Sequence, residues 1–174
     1  LENSKDNLSL FRFNVENPQL WFPNGYGNPT LYEATIYIYN KESICLDSVK
    51  TRFGIRTIEL SQKKDKYGSE FCFIVNGMPI FAKGANLVPS AMHKERYEGM
   101  AKHIDLVKEC NMNMLRVWGG GYYVDEQMYE ACDENGILIW QDFPFACALY
   151  PATKDYLAEV ETEARQNVLR ISSH

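Results

Sequence analysis

Met114-Leu115-Arg116-Val117-Trp118-Gly119-Gly120-Gly121 begins as a buried strand does, apolar, and then sets an arginine where a neutral core should continue. It ends in a large aromatic and three glycines. A charge, an indole and bare backbone delivered together at a strand end suit the rim of a binding site. A salt-bridged arginine, a packed tryptophan and a flexible turn would account for the same residues. The flanking sequence decides between these readings.

Downstream of Ile80 the pattern alternates strand and helix. Residues 80–85 predict a short buried strand. Residues 96–110 predict a helix, with Tyr97, Met100, Ile104 and Val107 at spacings of three and four, and Asn111 as its left-handed stop. Residues 112–117 form the second strand. Asp125 caps the next helix, Val124 and Tyr129 are placed as a hydrophobic staple, and Asn135-Gly136 ends it. Residues 137–140 are the third strand. Thr153 caps a last helix running to about Ser172, with Asp155, Glu159 and Glu161 early and Arg165 and Arg170 late, as the helix dipole prefers. Such alternation builds a parallel sheet, and its apolar strands require both faces to be covered.

Upstream, the chain reads as strands. Residues 10–15 alternate, residues 31–39 carry Tyr32, Ala34, Ile36 and Ile38 on one face, and residues 49–60 alternate again. Short strands at this spacing suggest a β-sandwich, but three or four cannot complete one. Residues 61–69, with Lys63-Lys64-Asp65-Lys66, predict a solvated linker. Asn76-Gly77 between apolar runs is a strong hairpin signal, because a type I′ turn needs positive φ at both positions. The expected organisation is therefore 1–60, part of a sandwich; 61–69, a linker; and 70–174, the start of an α/β domain.

Composition narrows the function. The 174 residues carry a net charge of −5, which disfavours a nucleic-acid partner. No apolar run approaches the roughly 20 residues of a membrane span. Aromatic content is 13%, which suits sugar stacking but also strand-rich packing. The five cysteines have no CxxC spacing and are expected as buried free thiols; the three histidines are scattered, and neither metal nor cofactor is expected. The chain does not begin with Met, as expected of a piece of a longer protein.

In parallel α/β folds the chemistry gathers at the carboxyl ends of the strands. Those ends read Lys83-Gly84-Ala85-Asn86, Arg116-Val117-Trp118-Gly119 and Trp140-Gln141-Asp142-Phe143. Amides and carboxylates bind hydroxyls, and indole faces stack on sugar rings, so the set suits a neutral, hydroxyl-rich ligand. The Gly119–Gly121 run lacks the spacing of a phosphate-binding loop. Trp140, inside a strand, is expected in the core.

These pieces, with Asn17-Pro18-Gln19-Leu20-Trp21-Phe22-Pro23 and the hairpin segment 73–86, resemble the β-mannosidases of glycoside hydrolase family two, in the family's order and over nearly the whole chain. The resemblance implies α/β plus all-β architecture: part of an immunoglobulin-like sandwich, then the first three βα units of a (β/α)8 TIM barrel. It implies an exo-acting retaining hydrolase that releases terminal β-D-mannose from oligosaccharides or glycans by means of two Glu residues. Both are expected beyond His174, so this chain has no catalytic residue of its own. Trp118 is expected to wall the sugar site, Arg116 to hold the catalytic carboxylates, and Asn86 and Asp142 to bind hydroxyls or support groups that do. An exo-β-glucosaminidase, a galactosidase- or glucuronidase-like enzyme and a non-catalytic carbohydrate-binding module are the alternatives. The family's work on glycans suggests a periplasmic, secreted or lysosomal setting. Open sheet edges lead us to expect the isolated chain to self-associate or to lose order there.

Overall fold

The computed structural model describes residues 2–3, 9–10, 12–88 and 100–174. Two short strands, β1 (Glu2–Asn3) and β2 (Ser9–Leu10), pair antiparallel. Of the alternation expected over 10–15, residues 12–15 form no strand; Phe11 and the side chain of Leu10 lie outside the described residues. β3 (Tyr32–Tyr39) and β4 (Cys45–Phe53) form a two-stranded ribbon. Asn40 closes it: its Oδ1 accepts from the amides of Glu42 and Ile44, both at 2.9 Å.

The stretch expected as one strand over 49–60 is broken. Beyond β4 the chain bends through Gly54 and re-enters as β5 (Ile58–Ser61), which pairs with β6 (Cys72–Val75), itself paired with β7 (Met78–Ile80). Of residues 61–69, expected as a linker, Ser61 ends β5 and the rest fall in the 62–71 connection from β5 to β6 within one sheet. The hairpin between β6 and β7 turns on Asn76 and Gly77, with φ of 51° and 77°, the two positive angles its sequence requires.

A parallel sheet follows, in the order β10-β9-β8: β8 (Gly84–Leu87), β9 (Met114–Val117) and β10 (Leu138–Gln141). A 3-10 turn (Met100–His103) leads into α1 (Ile104–Glu109); the rest of that expected helix, including Tyr97, lies outside the described residues. Asn111 adopts φ of 56°, the expected left-handed stop. α2 (Glu126–Asn135) starts at Asp125, whose carboxylate accepts from the Met128 amide at 2.9 Å, and ends at Gly136 with φ of 70°. α3 (Lys154–Ile171) starts after Thr153, whose hydroxyl makes no capping bond. The fold is mixed α/β. Among the described residues the parallel sheet has three strands and does not close into a barrel, and the β3–β4 ribbon forms no sandwich.

The first parallel strand is offset from its expected place at 80–85. Ile80 pairs with Phe73 and belongs to the hairpin, whereas the parallel ladder starts at Gly84. Gly84 is required there by space: a Cβ would overlap the Met114 carbonyl of the adjacent strand. Asn113, fully buried, stitches the entry to the sheet. Its side chain accepts from the Lys83 amide at 2.9 Å and donates to the Phe81 carbonyl at 3.1 Å.

Register then assigns the faces. Ala85, Leu115 and Ile139 stand level, as do Leu87, Val117 and Gln141. Leu115 and Val117 are buried against Ile104, Val124, Met128, Tyr129 and Cys132, with Leu87 and Ile139 packed alongside. Successive side chains alternate across a sheet, so Met114 and Leu138 turn the other way. They meet Val75, Ile80 and Trp21 in a second core. Burying such side chains is worth roughly 1.5–3 kcal/mol each, so two-sided coverage dominates the stability of this sheet.

The segment Trp21–Asn24 clamps both parts together. Trp21 is 1% exposed; its amide donates to the Ile55 carbonyl at 2.9 Å, its carbonyl accepts from Asn76 Nδ2 at 2.9 Å, and its Nε1 donates to the Asp133 carbonyl at 2.8 Å. Asn24 Nδ2 donates to the carbonyls of Lys108 (3.2 Å) and Met112 (2.9 Å), and its amide donates to that of Gly136 at 2.8 Å. The carbonyls exposed at helix ends thus gain donors from a distant segment.

Candidate functional site

Asn86, Arg116 and Trp140 stand level across the three parallel strands, on the face opposite α1 and α2. Asn86 is therefore inside β8 rather than beyond its end. The Arg116 guanidinium donates from Nε to Asp142 Oδ1 at 3.2 Å, from Nη2 to Asp142 Oδ2 at 2.5 Å and from Nη1 to Asn86 Oδ1 at 3.0 Å. Asp142 Oδ2 also accepts from the Gly119 amide at 3.2 Å. A forked guanidinium on a carboxylate fixes orientation as well as charge. Three of the five guanidinium N–H groups are used, leaving two without a partner among the described residues.

The strand ends are laced to hold this arrangement. The Trp118 amide donates to the Leu87 carbonyl at 3.2 Å, and the Asp142 amide to that of Val117 at 3.1 Å. Glycine is needed at 119 for closeness: a Cβ there would lie 2.6 Å from the Phe143 carbonyl oxygen and 3.3 Å from Asp142 Cβ. The next turn is closed by the Gly121 amide donating to the Trp118 carbonyl at 2.9 Å. The half-buried Trp118 indole folds back over Gly120, where a Cβ would overlap the ring. The structure thus brings Asn86, Arg116 and Asp142 into one hydrogen-bonded group and sets Trp118 beside it on its own glycine turn.

Trp140, expected in the core, is 41% exposed. It stacks on Phe71, with centroids 5.8 Å apart and planes at 25°, and meets Phe73 edge-on at 6.1 Å. Sequence alone could not separate a core strand residue from one on the open face, because register decides it. An open hollow of about 230 Å³ is bordered by Ala82, Gly84, Asn86, Met114 and Arg116. Beside it lies an apolar hollow of about 240 Å³, with Phe71, Phe73, Met114 and Trp140 among its walls. A larger recess of about 560 Å³ lies between β4 and α2, where Lys50 pairs with Glu33 at 2.7 Å and Arg52 with Glu134; none of the strand-end residues lines it.

Gln141 and Tyr129, to which the sequence assigned no site role, lie directly behind the group. The Tyr129 hydroxyl donates to Gln141 Oε1 at 2.9 Å, and Gln141 Nε2 donates to the Asp142 carbonyl at 2.8 Å. Burial pushes the Tyr129 hydroxyl up to about 12. A second polar cluster surrounds His174, one of the scattered histidines. Its ring lies 2.7 Å from Asp133 Oδ2 and 2.8 Å from Glu126 Oε1, and stacks on Tyr129 at 5.2 Å. Arg56 donates to the His174 carbonyl at 2.7 Å and covers the Trp21 ring at 4.7 Å. Burial disfavours the His174 cation, but the hydrogen bonds its ring donates to both carboxylates outweigh it and raise the imidazole above its ordinary value. Of the cysteines, expected buried, only Cys132 is; Cys72 is intermediate, and Cys45, Cys110 and Cys147 are exposed.

Residues 1–56 match the profile of glycosyl hydrolases family 2. The chain is 44% identical over 176 residues to β-mannosidase B of Aspergillus flavus, covering 98% of this chain and 20% of that protein. It superposes on the crystal structure of β-D-mannosidase from Dictyoglomus thermophilum with a TM-score of 0.82 and 43% identity, over 92% of this chain and 20% of that one. The exo-chitosanase CsxA of Amycolatopsis orientalis shares the fold, with a TM-score of 0.64 at 20% identity, over 76% of this chain and 15% of that one. This chain is a homologue of the family 2 β-mannosidases and spans about a fifth of the length of the first two relatives.

Proposed function

We propose that the chain is part of an exo-acting, retaining β-mannosidase, and that its three parallel strands open an eight-stranded barrel behind an immunoglobulin-like sandwich. The observation that carries the reading is the Asn86–Arg116–Asp142 group at the carboxyl ends of parallel strands, in a chain 44% identical to a β-mannosidase B. Two guanidinium N–H groups of Arg116, without a partner among the described residues, are available to the carboxyl groups that attack and protonate the substrate. A retaining mechanism needs a nucleophile and an acid/base about 5 Å apart. We place both on strands outside residues 1–174, since Glu126, Glu130, Glu134 and Glu163 all lie on helices and no Glu of β8–β10 is available. Glu95 lies outside the described residues.

In this reading Arg116 steadies the ionised nucleophile, Trp118 walls the terminal sugar, and Asn86 and Asp142 bind hydroxyls or hold the groups that do. The substrate is a β-mannoside oligosaccharide or glycan. The test is hydrolysis of aryl β-glycosides by the intact protein. The mannoside should be cleaved with retention at C1, and well above the glucosaminide, galactoside and glucuronide. Preference for the glucosaminide would replace this reading with the nearest alternative, the exo-β-glucosaminidase.

A further inference from the structure

We infer that Gln141 is a positioning residue, clamped by Tyr129, which fixes the backbone from which Asp142 reaches Arg116. This deepens the glycosidase reading and rests on it. Gln141 ends β10 on the helix face, level with Val117, so it cannot meet a ligand on the Arg116 side. Its amide is instead used up between two fixed partners. Oε1 accepts from the Tyr129 hydroxyl at 2.9 Å, and Nε2 donates to the carbonyl of Asp142, the next residue, at 2.8 Å.

The chemistry of that position is selective. One side of the group must accept from a phenol and the other must donate to a carbonyl. An amide does both; a carboxylate has no proton to give, and an aliphatic side chain leaves both partners unpaired. Tyr129 is 1% exposed and its hydroxyl is held near pH 12, so it stays a donor throughout the working range. The orientation of the Gln141 amide is therefore constant.

The effect falls on Asp142. Its amide is tied to the Val117 carbonyl at 3.1 Å and its carbonyl to Gln141, so both backbone groups of this one residue are held. Only the side-chain torsions remain, and those are spent on Arg116 and on the Gly119 amide. Releasing the carbonyl lets the peptide after Asp142 rotate, and a carboxylate serving two strand ends then loses alignment with at least one of them. Gln141 touches neither Arg116 nor substrate; it acts through Asp142.

The experiment uses the intact protein and the variants Gln141→Met, Tyr129→Phe, Asp142→Asn and Gln141→Met/Asp142→Asn, with Ile104→Val as a control for stability alone. On an aryl β-mannoside, Gln141→Met should lower kcat by about tenfold with KM within about twofold, since a small misplacement near the chemistry is costly. The acidic limb of the pH profile should move up, because a loosened Arg116 stabilises the neighbouring ionised carboxylate less. Tyr129→Phe should move both in the same direction by less, and the double variant should be no worse than Asp142→Asn. Ile104→Val should lower Tm and leave kcat and the pH profile alone. An unmoved kcat and acidic limb in Gln141→Met, or a double-variant loss equal to the product of the single losses, would overturn the inference. Crystal structures of the wild type and Gln141→Met decide it independently of activity: the Asp142 carboxylate should leave the Gly119 amide, and an unchanged carboxylate would refute the clamp. Wild-type protein inactive on every β-glycoside sinks the glycosidase reading, and the crystallographic comparison still decides the clamp.

Discussion

Trp21→Phe removes one N–H and part of one ring from the point where the strand-rich and α/β parts meet. The phenyl keeps an apolar plug and every backbone bond of residue 21. The Asp133 carbonyl, near the end of α2, loses its donor in a partly buried setting, which costs about 1–3 kcal/mol. The smaller ring leaves a void costing about 1 kcal/mol. Arg56, 4.7 Å over the indole, exchanges the best aromatic partner for a weaker one, about 0.5 kcal/mol. Together these come to about 2.5–4.5 kcal/mol. Urea unfolding followed by far-UV circular dichroism measures it, and hydrogen exchange should show earlier opening at the end of α2. A loss below about 1 kcal/mol with unchanged exchange would mean that the indole hydrogen bond is incidental and the clamp resides in Asn24 alone.

Trp118→Ala in the intact protein should cut kcat/KM for an aryl β-mannoside by about tenfold or more, and an unchanged value would make Trp118 scaffold only. His174 has a folded value above its unfolded one of about 6.5, so its contribution is complete below that pH and is lost as pH rises through the folded value. Stability of the wild type relative to His174→Gln should therefore fall as pH rises above about 6.5, and parallel curves would exclude the histidine as the cause. Gly84→Ala should separate β8 from β9 and cost more than the roughly 1 kcal/mol of an ordinary substitution, read as a drop in Tm; a neutral variant would show that the strands can part freely. The Tyr123 hydroxyl is buried with no hydrogen-bond partner among the described residues, so Tyr123→Phe should hold or raise stability by up to about 1 kcal/mol, and a clear loss would reveal a bound partner.

Local chemistry was the most legible part of the fold. Asn76-Gly77, Asp125 and Gly136 declare their turn and caps because the required angles and donors lie within a few residues of one another. The Arg116 and Asp142 pair was legible as two polar groups following apolar strands. Boundaries failed where two partners competed for one apolar run: residues 80–85 read as a short strand until Ile80 is seen pairing backward with Phe73 and Gly84 sideways with Met114. Trp140 was misjudged because burial on a parallel sheet depends on which face register assigns. The bond between Gln141 and Tyr129 stayed hidden because nothing in a strand-end amide or a staple tyrosine says that packing brings them together. The three exposed cysteines reflect the reverse case, a general preference for burial with nothing local to enforce it.

The Trp21–Asn24 clamp also sets an order of events on the ribosome. The indole of Trp21 and the carbonyl it serves are 112 residues apart in the chain. At about 5–20 residues per second, synthesis needs roughly 6–20 s to supply that partner, whereas a hairpin forms within about 10 μs. The β3–β4 ribbon and the β5–β7 sheet therefore assemble early around a tryptophan whose polar edge still faces water. Arrival of α2 closes a loop of more than a hundred residues in one step, with Asn24 meeting α1 and Gly136 as Trp21 meets Asp133. The nascent chain thus carries its docking surface ready-made well before the helix that fills it has left the exit tunnel.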